Sequence, residues 1–426
     1  KVIGDVKTQA YREVYNHISD KQKTKNLPTH KNYLGDNELA KSIYEKKYFL
    51  KDLENNLIEK NPEDVFKRLA SFLATTELSK SKQKKWAEKF YTELYEGRFV
   101  SGGRVLAGAG DLYRVKTLAN CFVAKIDRDD IDSIYKAAFE CARTYSYGGG
   151  IGVDISSLRP KDSVVHNAAD SSTGAVSFME LYSLTTGLIG QSGRRGALML
   201  TIDVKHPDIK YFLKVKKTPN WVTNQIVEQC SWSGLFNDKE LDTIKKQVME
   251  NTQVRFANIS IKASDEFMQA VNEEKQFGDK TYLIYKKYNK DLRMDAIQDE
   301  DDIHYSSGIP SKNIDDYELL SSFKTLSGLN NWVTDNSNNE AIDQDLFNDP
   351  SKRDVYGDYI ISLKDQDYDL AIKQSGDFLL YFDSTATNEV RELVKARTIW
   401  DQFIEGNYKT AEPGLIFWTT MSKYSP

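Results

Sequence analysis

The chain has 426 residues, a formal net charge of −5 and 40% hydrophobic content. That length and apolar content suffice for one large core or two modest ones, and the acidic balance excludes the basic domain or stripe that nucleic-acid binding requires. No apolar run approaches the ~20 residues needed to span a bilayer. The opening Lys1-Val2-Ile3-Gly4-Asp5 has no signal-peptide pattern, and three cysteines, Cys121, Cys141 and Cys230, fit a reducing compartment better than a disulfide scaffold. A cytoplasmic protein that binds neither DNA nor membrane is expected.

From Lys1 to about Asp36 the sequence is polar and weakly patterned, which predicts an extended or loosely helical arm. Leu39, Ile43, Tyr44 and Tyr48 then fall at spacings that share a helix face. Asn61-Pro62-Glu63-Asp64 predicts a helix start, with Asn61 as cap and Pro62 in the first helical position. Val65, Leu69, Phe72 and Leu73 carry that helix on, and Trp86, Phe90 and Leu94 mark another. The lysines from Lys80 to Lys85 read as its solvated face. Residues 1–98 are therefore expected to form a helical domain.

The texture changes at Phe99-Val100-Ser101-Gly102-Gly103-Arg104. Asn120-Cys121-Phe122-Val123-Ala124 reads as a buried strand, Asp130 to Tyr147 as an amphipathic helix and Ile151 to Ile155 as a strand. Ala175 to Ile189 is a second amphipathic helix and Ala197 to Val204 a strand. His206-Pro207-Asp208 follows as a turn into a short helix. This alternation predicts an α/β core over 99–279. Residues 280–375 are rich in Asp, Asn, Lys and Ser but keep scattered aromatics, among them Tyr305, Tyr317, Trp332 and Tyr359. They read as an insertion with structure of its own and no legible role. Residues 376–426 return to the α/β pattern, with Ile399, Trp400, Phe403 and Ile404 facing inward on a helix and Glu412 to Phe417 a turn into a buried segment.

Chemistry is only partly legible from residue types. Gly148-Gly149-Gly150 is either a tight helix-to-strand turn or a place where a ligand meets bare backbone. Ser101-Gly102-Gly103 is either a plain loop or a set of donors for a phosphate. Cys121 alone reads as a small hydrophobe. Arg194 and Arg195, on the glycine-hinged loop Gly190 to Gly196, suit phosphate or base recognition, or else a solvated loop. The five histidines show no metal-ligand spacing, so no metal site is expected.

The order of these segments decides more than any one of them. Gly103 to Gly110, Asn120 to Val123, Gly148 to Asp154, Ser157-Leu158-Arg159-Pro160, Ser172 to Met179, Gly193 to Met199 and His206 to Ile209, with Glu412 to Phe417 near the end, resemble the ribonucleotide reductase family, adenosylcobalamin-dependent type. The resemblance implies a helical N-terminal domain followed by part of a ten-stranded α/β barrel. It implies reduction of ribonucleotides by thiyl-radical chemistry, with Cys121 as one of two redox cysteines. Ser101, Asn120, Gly149 and Gly150 match positions that touch the substrate. Asp129, Arg159, Lys161, Arg194 and Arg195 match the site for deoxynucleoside triphosphate effectors. Helices 130–147 and 175–189 match a homodimer interface, and a thioredoxin-like reductant is implied.

None of the three cysteines lies in the family's Asn-x-Cys-x-Glu motif, which carries the radical cysteine. The expectation is an N-terminal half, inactive until a C-terminal-half chain supplies that motif. A non-catalytic nucleotide-binding regulatory module, and a reductase with a separate metal radical-generating subunit, stay open as alternatives.

Overall fold

The computed structural model describes residues 5–29, 32–166, 169–191, 194–216, 220–250, 254–288, 309–337, 341–363, 366–384 and 387–425. The chain divides into two compact units, one of residues 1–122 and 143–150, the other of residues 123–142 and 151–426.

The first unit is helical. It holds α1 (Asp5–Lys23), α2 (Glu38–Ile43, continued as a π turn over Tyr44–Tyr48), α3 (Pro62–Ala74), α4 (Lys80–Tyr95) and α5 (Gly103–Gly108). Of the extended or loosely helical arm expected here, Asp5–Lys23 is the regular helix α1. Tyr11, Val14 and Ile18 recur at three- and four-residue spacing and are buried, Val14 and Ile18 in the shared core and Tyr11 edge-on to Phe72, which stabilises a segment whose average polarity hid its stripe. Asn61 caps α3 by accepting from Asp64 N, with Pro62 at the first position. Lys80, Lys82, Lys84 and Lys85 are exposed on α4, whereas Leu39 on α2 faces solvent and not the core. At the centre lies Arg68, almost fully buried. Its guanidinium donates to Glu59 and to the carbonyls of Tyr48, Leu106 and Ala109, tying α3 to α5. A buried cation persists only when paired and hydrogen-bonded, and here it is both.

The division between the units crosses β1 (Cys121–Ala124), α6 (Ile131–Ser146) and β2 (Gly150–Asp154). Next come α7 (Met179–Leu188), entered through a 3₁₀ turn over Ala175–Phe178, the two-residue strands β3 (Gly190–Gln191) and β4 (Arg194–Arg195), and β5 (Ala197–Asp203). α8 (Ile209–Phe212), the helical hairpin α9 (Asn220–Trp232) and α10 (Asp238–Glu250), and β6 (Ala257–Ala263) follow. A five-stranded sheet runs β1-β2-β5-β6-β13, where β13 is Gly414–Phe417. β5 pairs parallel with β6, and β6 with β13. Leu198, Leu200 and Ile202 are buried on one face of β5, as are Ile259 and Ile261 on β6. The alternate residues of β5 are only partly covered. On β6, Ser260 and Lys262 of the opposite face are buried too, the two-sided burial usual for parallel sheets, whereas the covering of β5 is one-sided. β1 is the extreme case: only Ala124 is buried and Val123 is 88% exposed. The expected buried strand is therefore an open edge.

Beyond α11 (Asp265–Phe277) lies the segment read as an insertion. β7 (Tyr282–Tyr288), β8 (Tyr317–Phe323), β9 (Tyr359–Ile361) and β10 (Tyr368–Gln374) form an antiparallel sheet in the order β8-β7-β10-β9. Helices α12 (Leu326–Ser337) and α13 (Gln344–Asn348) cover one face through Leu329, Val333 and Phe347. The other face packs Leu283, Tyr285 and Ala371 near Phe277, at the end of α11. The hairpin of β11 (Asp377–Ser384) and β12 (Thr387–Lys395) leads back to α14 (Ala396–Thr410), β13 and α15 (Trp418–Tyr424). On α14, Ile399 and Phe403 are buried as expected, but Ile404 is 45% exposed.

Buried charges join the inserted sheet to α11. Glu266 accepts from Lys205 Nζ at 2.9 Å and from Lys312 N at 3.1 Å. One face further along, Glu273 accepts from Tyr285 Oη and Gly376 N, each at 3.0 Å, and pairs with Lys373 at 2.9 Å. Burial pushes the Glu273 carboxyl up, but Lys373 and these hydrogen bonds outweigh it and hold the group below the usual carboxylate range. Among the described residues, no helix is long and apolar enough to cross a membrane.

Candidate functional site

Two clusters emerge, one in each unit. The first is built on the glycine turn. Gly148 N and Gly149 N donate to Tyr145 O and Thr144 O, closing the helix end, and Gly150 N donates to Asn120 O at 2.8 Å. Gly148 sits at φ +90°, a conformation natural only to glycine. At Gly149 a Cβ would lie 2.7 Å from Thr144 and 2.8 Å from the Phe122 ring, so only glycine lets that ring pack. Packing alone thus accounts for Gly149, beside whatever a ligand demands. Across the turn a Cβ at Gly102 would come 3.9 Å from Asn120 Nδ2. Ser101 is buried, and its Oγ has no hydrogen-bond partner. A hydroxyl taken out of water with no protein partner is an exception that calls for a reason. Cys121, the next residue after Asn120, is exposed and unpaired by any disulfide. The structure therefore groups Ser101, Asn120, Cys121, Gly149 and Gly150 in one place. It adds Arg104, whose Nη1 lies 3.0 Å from a Cβ built at Gly148. The sequence signal for it was the Ser101-Gly102-Gly103-Arg104 string, a hydroxyl and a guanidinium flanking two glycines.

The second cluster lies in the other unit. Arg159 Nε donates to Asp129 Oδ2 at 2.5 Å, Nη2 to Asp129 O at 3.0 Å and Nη1 to Val164 O at 3.2 Å. The two charged side chains, only 13–14% exposed, are therefore locked together. The loop after Arg159 folds on itself through Asp162 N to Ser172 O and Ser172 N to Ser163 O. Lys161 N donates to both oxygens of Asp208, which also accepts from Ala175 N at 2.9 Å. Gly174, at φ +90°, leaves room for that carboxylate, since a Cβ there would sit 2.6 Å from it. The Lys161 ammonium lies 5.2 Å over the Tyr211 ring. Arg194 and Arg195 lie on β4, paired with β3, and their side chains fall outside the described residues, as do residues 192–193.

His206, expected as a turn residue, is fully buried. Its Nε2 bonds Leu158 O, an acceptor, so that nitrogen carries the proton, and Nδ1 then accepts from Asp208 N. Both nitrogens are satisfied only in the neutral ring, and burial likewise lowers its proton affinity against the pull of Asp208.

On α6 the expected single apolar face is in fact two. Ile134, Ala138 and Cys141 are buried, whereas Ile131, Tyr135 and Phe139, spaced by four, are each more than half exposed. Tyr182 Oη of α7 donates to Ile134 O, and α7 leaves Leu184 and Leu188 exposed.

Residues 34–114 match the family model described as ribonucleotide reductase, all-alpha domain, and residues 119–307 the one described as ribonucleotide reductase, barrel domain. Together the two matches span more than half of the chain. The chain belongs to the ribonucleotide reductase family. Ser101 falls within the all-alpha match, while Asn120, Cys121, the glycine turn and the whole Asp129–Arg159 cluster fall within the barrel match.

The vitamin B12-dependent ribonucleoside-diphosphate reductase of Mycobacterium tuberculosis is 33% identical over 180 residues, 42% of this chain and 25% of the relative. The enzyme of the same name from Thermoplasma acidophilum is 33% identical over 166 residues, 37% of this chain and 21% of the relative. The ribonucleoside-diphosphate reductase subunit alpha of Helicobacter pylori is 31% identical over 187 residues, 44% of this chain and 22% of the relative. The chain thus covers a quarter or less of the length of these curated relatives.

Proposed function

We propose that this chain carries the nucleotide-handling part of a ribonucleotide reductase, in which Cys121 supplies one of the two reducing thiols. The observation that carries the reading is the exposed Cys121 thiol on an uncovered edge of the sheet, next in sequence to Asn120, whose amide lies near Gly102, the neighbour of the buried and unpartnered Ser101 hydroxyl. In the proposed reaction a thiyl radical activates the ribose and the 2′-hydroxyl leaves as water. Two thiols become a disulfide as the substrate gains two electrons, and a thioredoxin-like dithiol restores them. Ser101, Asn120, Gly149 and Gly150 hold the substrate. Asp129, Arg159, Lys161, Arg194 and Arg195 bind a deoxynucleoside triphosphate effector near a homodimer interface made by α6 and α7, so effector identity and dimerisation are coupled.

The radical cysteine comes from residues outside these 426, because none of Cys121, Cys141 and Cys230 lies in an Asn-x-Cys-x-Glu segment. A C-terminal-half chain carrying that segment is the partner we propose. The radical source we propose is adenosylcobalamin, the cofactor class that the names of the mycobacterial and Thermoplasma relatives carry. A corrin needs a broad apolar wall. The cavity lined by Val115, Phe122, Arg143 and Tyr147 holds about 340 Å³ and is too small for one. Among the described residues this cavity does not by itself fit a corrin, and no step runs through the cofactor. The name of the Helicobacter relative, a subunit alpha, keeps a separate radical-generating subunit as the second reading.

The test is reconstitution with a protein supplying Asn-x-Cys-x-Glu. The chain alone, given adenosylcobalamin and a dithiol, forms no deoxynucleotide, and the reconstituted pair does. Cys121→Ser stops multiple turnover, while Cys141→Ser and Cys230→Ser do not. Sustained turnover by the chain alone or by the Cys121→Ser pair would overturn the proposal.

A further inference from the structure

We infer that Phe256 is a positioning residue for the effector site: seated on Gly187, it fixes the span of the segment from β3 to β4 that carries Arg194 and Arg195. The inference rests on the effector reading of those two arginines given above. Two locally unfavourable residues meet at this contact. Gly187 lies in the last turn of α7, where glycine costs helix stability relative to alanine. A Cβ on it would lie 2.5 Å from both Cδ2 and Cε2 of Phe256, so its bare Cα is the seat of that ring. Val254, two residues before the ring, is buried at φ +58°, a left-handed conformation that strains a β-branched residue. Such strain persists only where the surroundings impose it. Here α7 imposes it. Glu180 Oε2 accepts from Val254 N at 2.8 Å, and Ser183 Oγ accepts from Phe256 N at 3.1 Å. Glu180, Ser183 and Gly187 are spaced by three and four, share one face of α7, and all hold the turn Val254-Arg255-Phe256. The exposed Leu184 and Leu188 lie on another face.

Phe256 adjoins both ends of the segment. α7 stops at Leu188 and β3 starts at Gly190, so the seat lies three residues before the segment begins. Beyond β4 the chain enters β5, where Leu198 is paired with Ala257, the residue after Phe256. β4 itself packs against α7. The ring therefore touches the helix at the entry of the segment and adjoins the strand pair at its exit, and the distance between those two anchors follows from how it is seated. Lifting the ring frees the end of α7 to shift against β6 and slackens β3 and β4 without touching either arginine.

The test uses the whole chain, titrated with a deoxynucleoside triphosphate by calorimetry, with hydrogen exchange followed over β3 and β4 and, as a control, over β5 and β6. Phe256→Ala should weaken the nucleotide about fivefold or more. It should speed exchange in β3 and β4 while β5 and β6 exchange as in the parent. Phe256→Tyr keeps a ring on the seat and should behave like the parent. Gly187→Ala should reproduce the loss, because its methyl displaces the ring. Combined with Phe256→Ala it should add little, since both act on one contact. Full additivity in the double variant, or parent-like affinity and exchange in Phe256→Ala, overturns the positioning role. Faster exchange in all four strands alike overturns it too, since that is what general loosening gives. If the chain with both Arg194→Ala and Arg195→Ala binds the nucleotide like the parent, the effector reading of the segment falls instead, and exchange over β3 and β4 then decides whether Phe256 fixes the segment.

Discussion

Arg159 and Asp129 stand 30 residues apart in sequence and share a hydrogen bond of 2.5 Å, so the arginine is oriented before any nucleotide arrives. Pre-orientation lowers the ordering cost of binding. Removing a charge-assisted phosphate contact costs roughly 1.5–3 kcal/mol. Arg159→Ala should therefore weaken effector binding about tenfold or more, measured by calorimetry with a deoxynucleoside triphosphate. Unchanged affinity would dissociate this pair from effector recognition. His206 makes a separate prediction. Its ring is held neutral when folded, whereas the unfolded chain takes up a proton near pH 6.5. Below that value the unfolded state binds more protons, so this contribution to stability is complete above about pH 6.5 and is lost as the pH falls. Melting temperatures of the parent chain should drop more steeply between about pH 6.5 and pH 5 than those of His206→Gln. Parallel curves would sink the argument. Motif order made Ser101, Asn120 and Cys121 legible as a group. Asp208 was not legible, because its role is to hold Lys161 N from 47 residues away, and no local pattern encodes that contact.

Local signals governed the elements well wherever the signal was stereochemical. The Asn61 cap and Pro62 fix the start of α3 from adjacent residues alone. Signals that depend on what covers a surface were harder to read. α1 read only as an extended or loosely helical arm because, among the described residues, its buried hydrophobics are just Tyr11, Val14 and Ile18, and β1 was misjudged because apolar residues on an open edge look the same in sequence as buried ones. The same ambiguity applies to α6, whose buried side and exposed Ile131, Tyr135 and Phe139 side are both apolar. An exposed apolar stripe on a regular helix marks an interaction surface. Under the proposed homodimer, Phe139→Glu places a charge in the centre of that surface and should convert dimer to monomer in sedimentation experiments while leaving the melting temperature of the monomer unchanged. A dimer that persists in this variant would assign the interface elsewhere.

At the scale of the whole chain, the inserted sheet makes its own prediction. Its composition showed that it was structured but not where it attaches, because the partners of Glu266 and Glu273 lie 46 and 103 residues further along the chain. Excising residues 282–374 would remove Lys312, Tyr285 and Lys373 and leave Glu273 buried without its pair. Breaking a buried ion pair from one side costs about 3–5 kcal/mol, a large share of the roughly 5–15 kcal/mol that hold a domain together. The excised chain should therefore be recovered poorly folded, and Glu273→Leu in the same background should restore much of the loss in a denaturant titration. Equal stability of the two excised forms would show that the carboxylate is not what binds the segment. This arrangement bears on how such a segment comes to be inherited. Once α11 has acquired Glu273, whose charge Lys373 of the added sheet balances, losing the sheet and losing that carboxylate must happen together. A lineage carrying both is ratcheted into keeping them, whether or not the added sheet ever performs a task of its own.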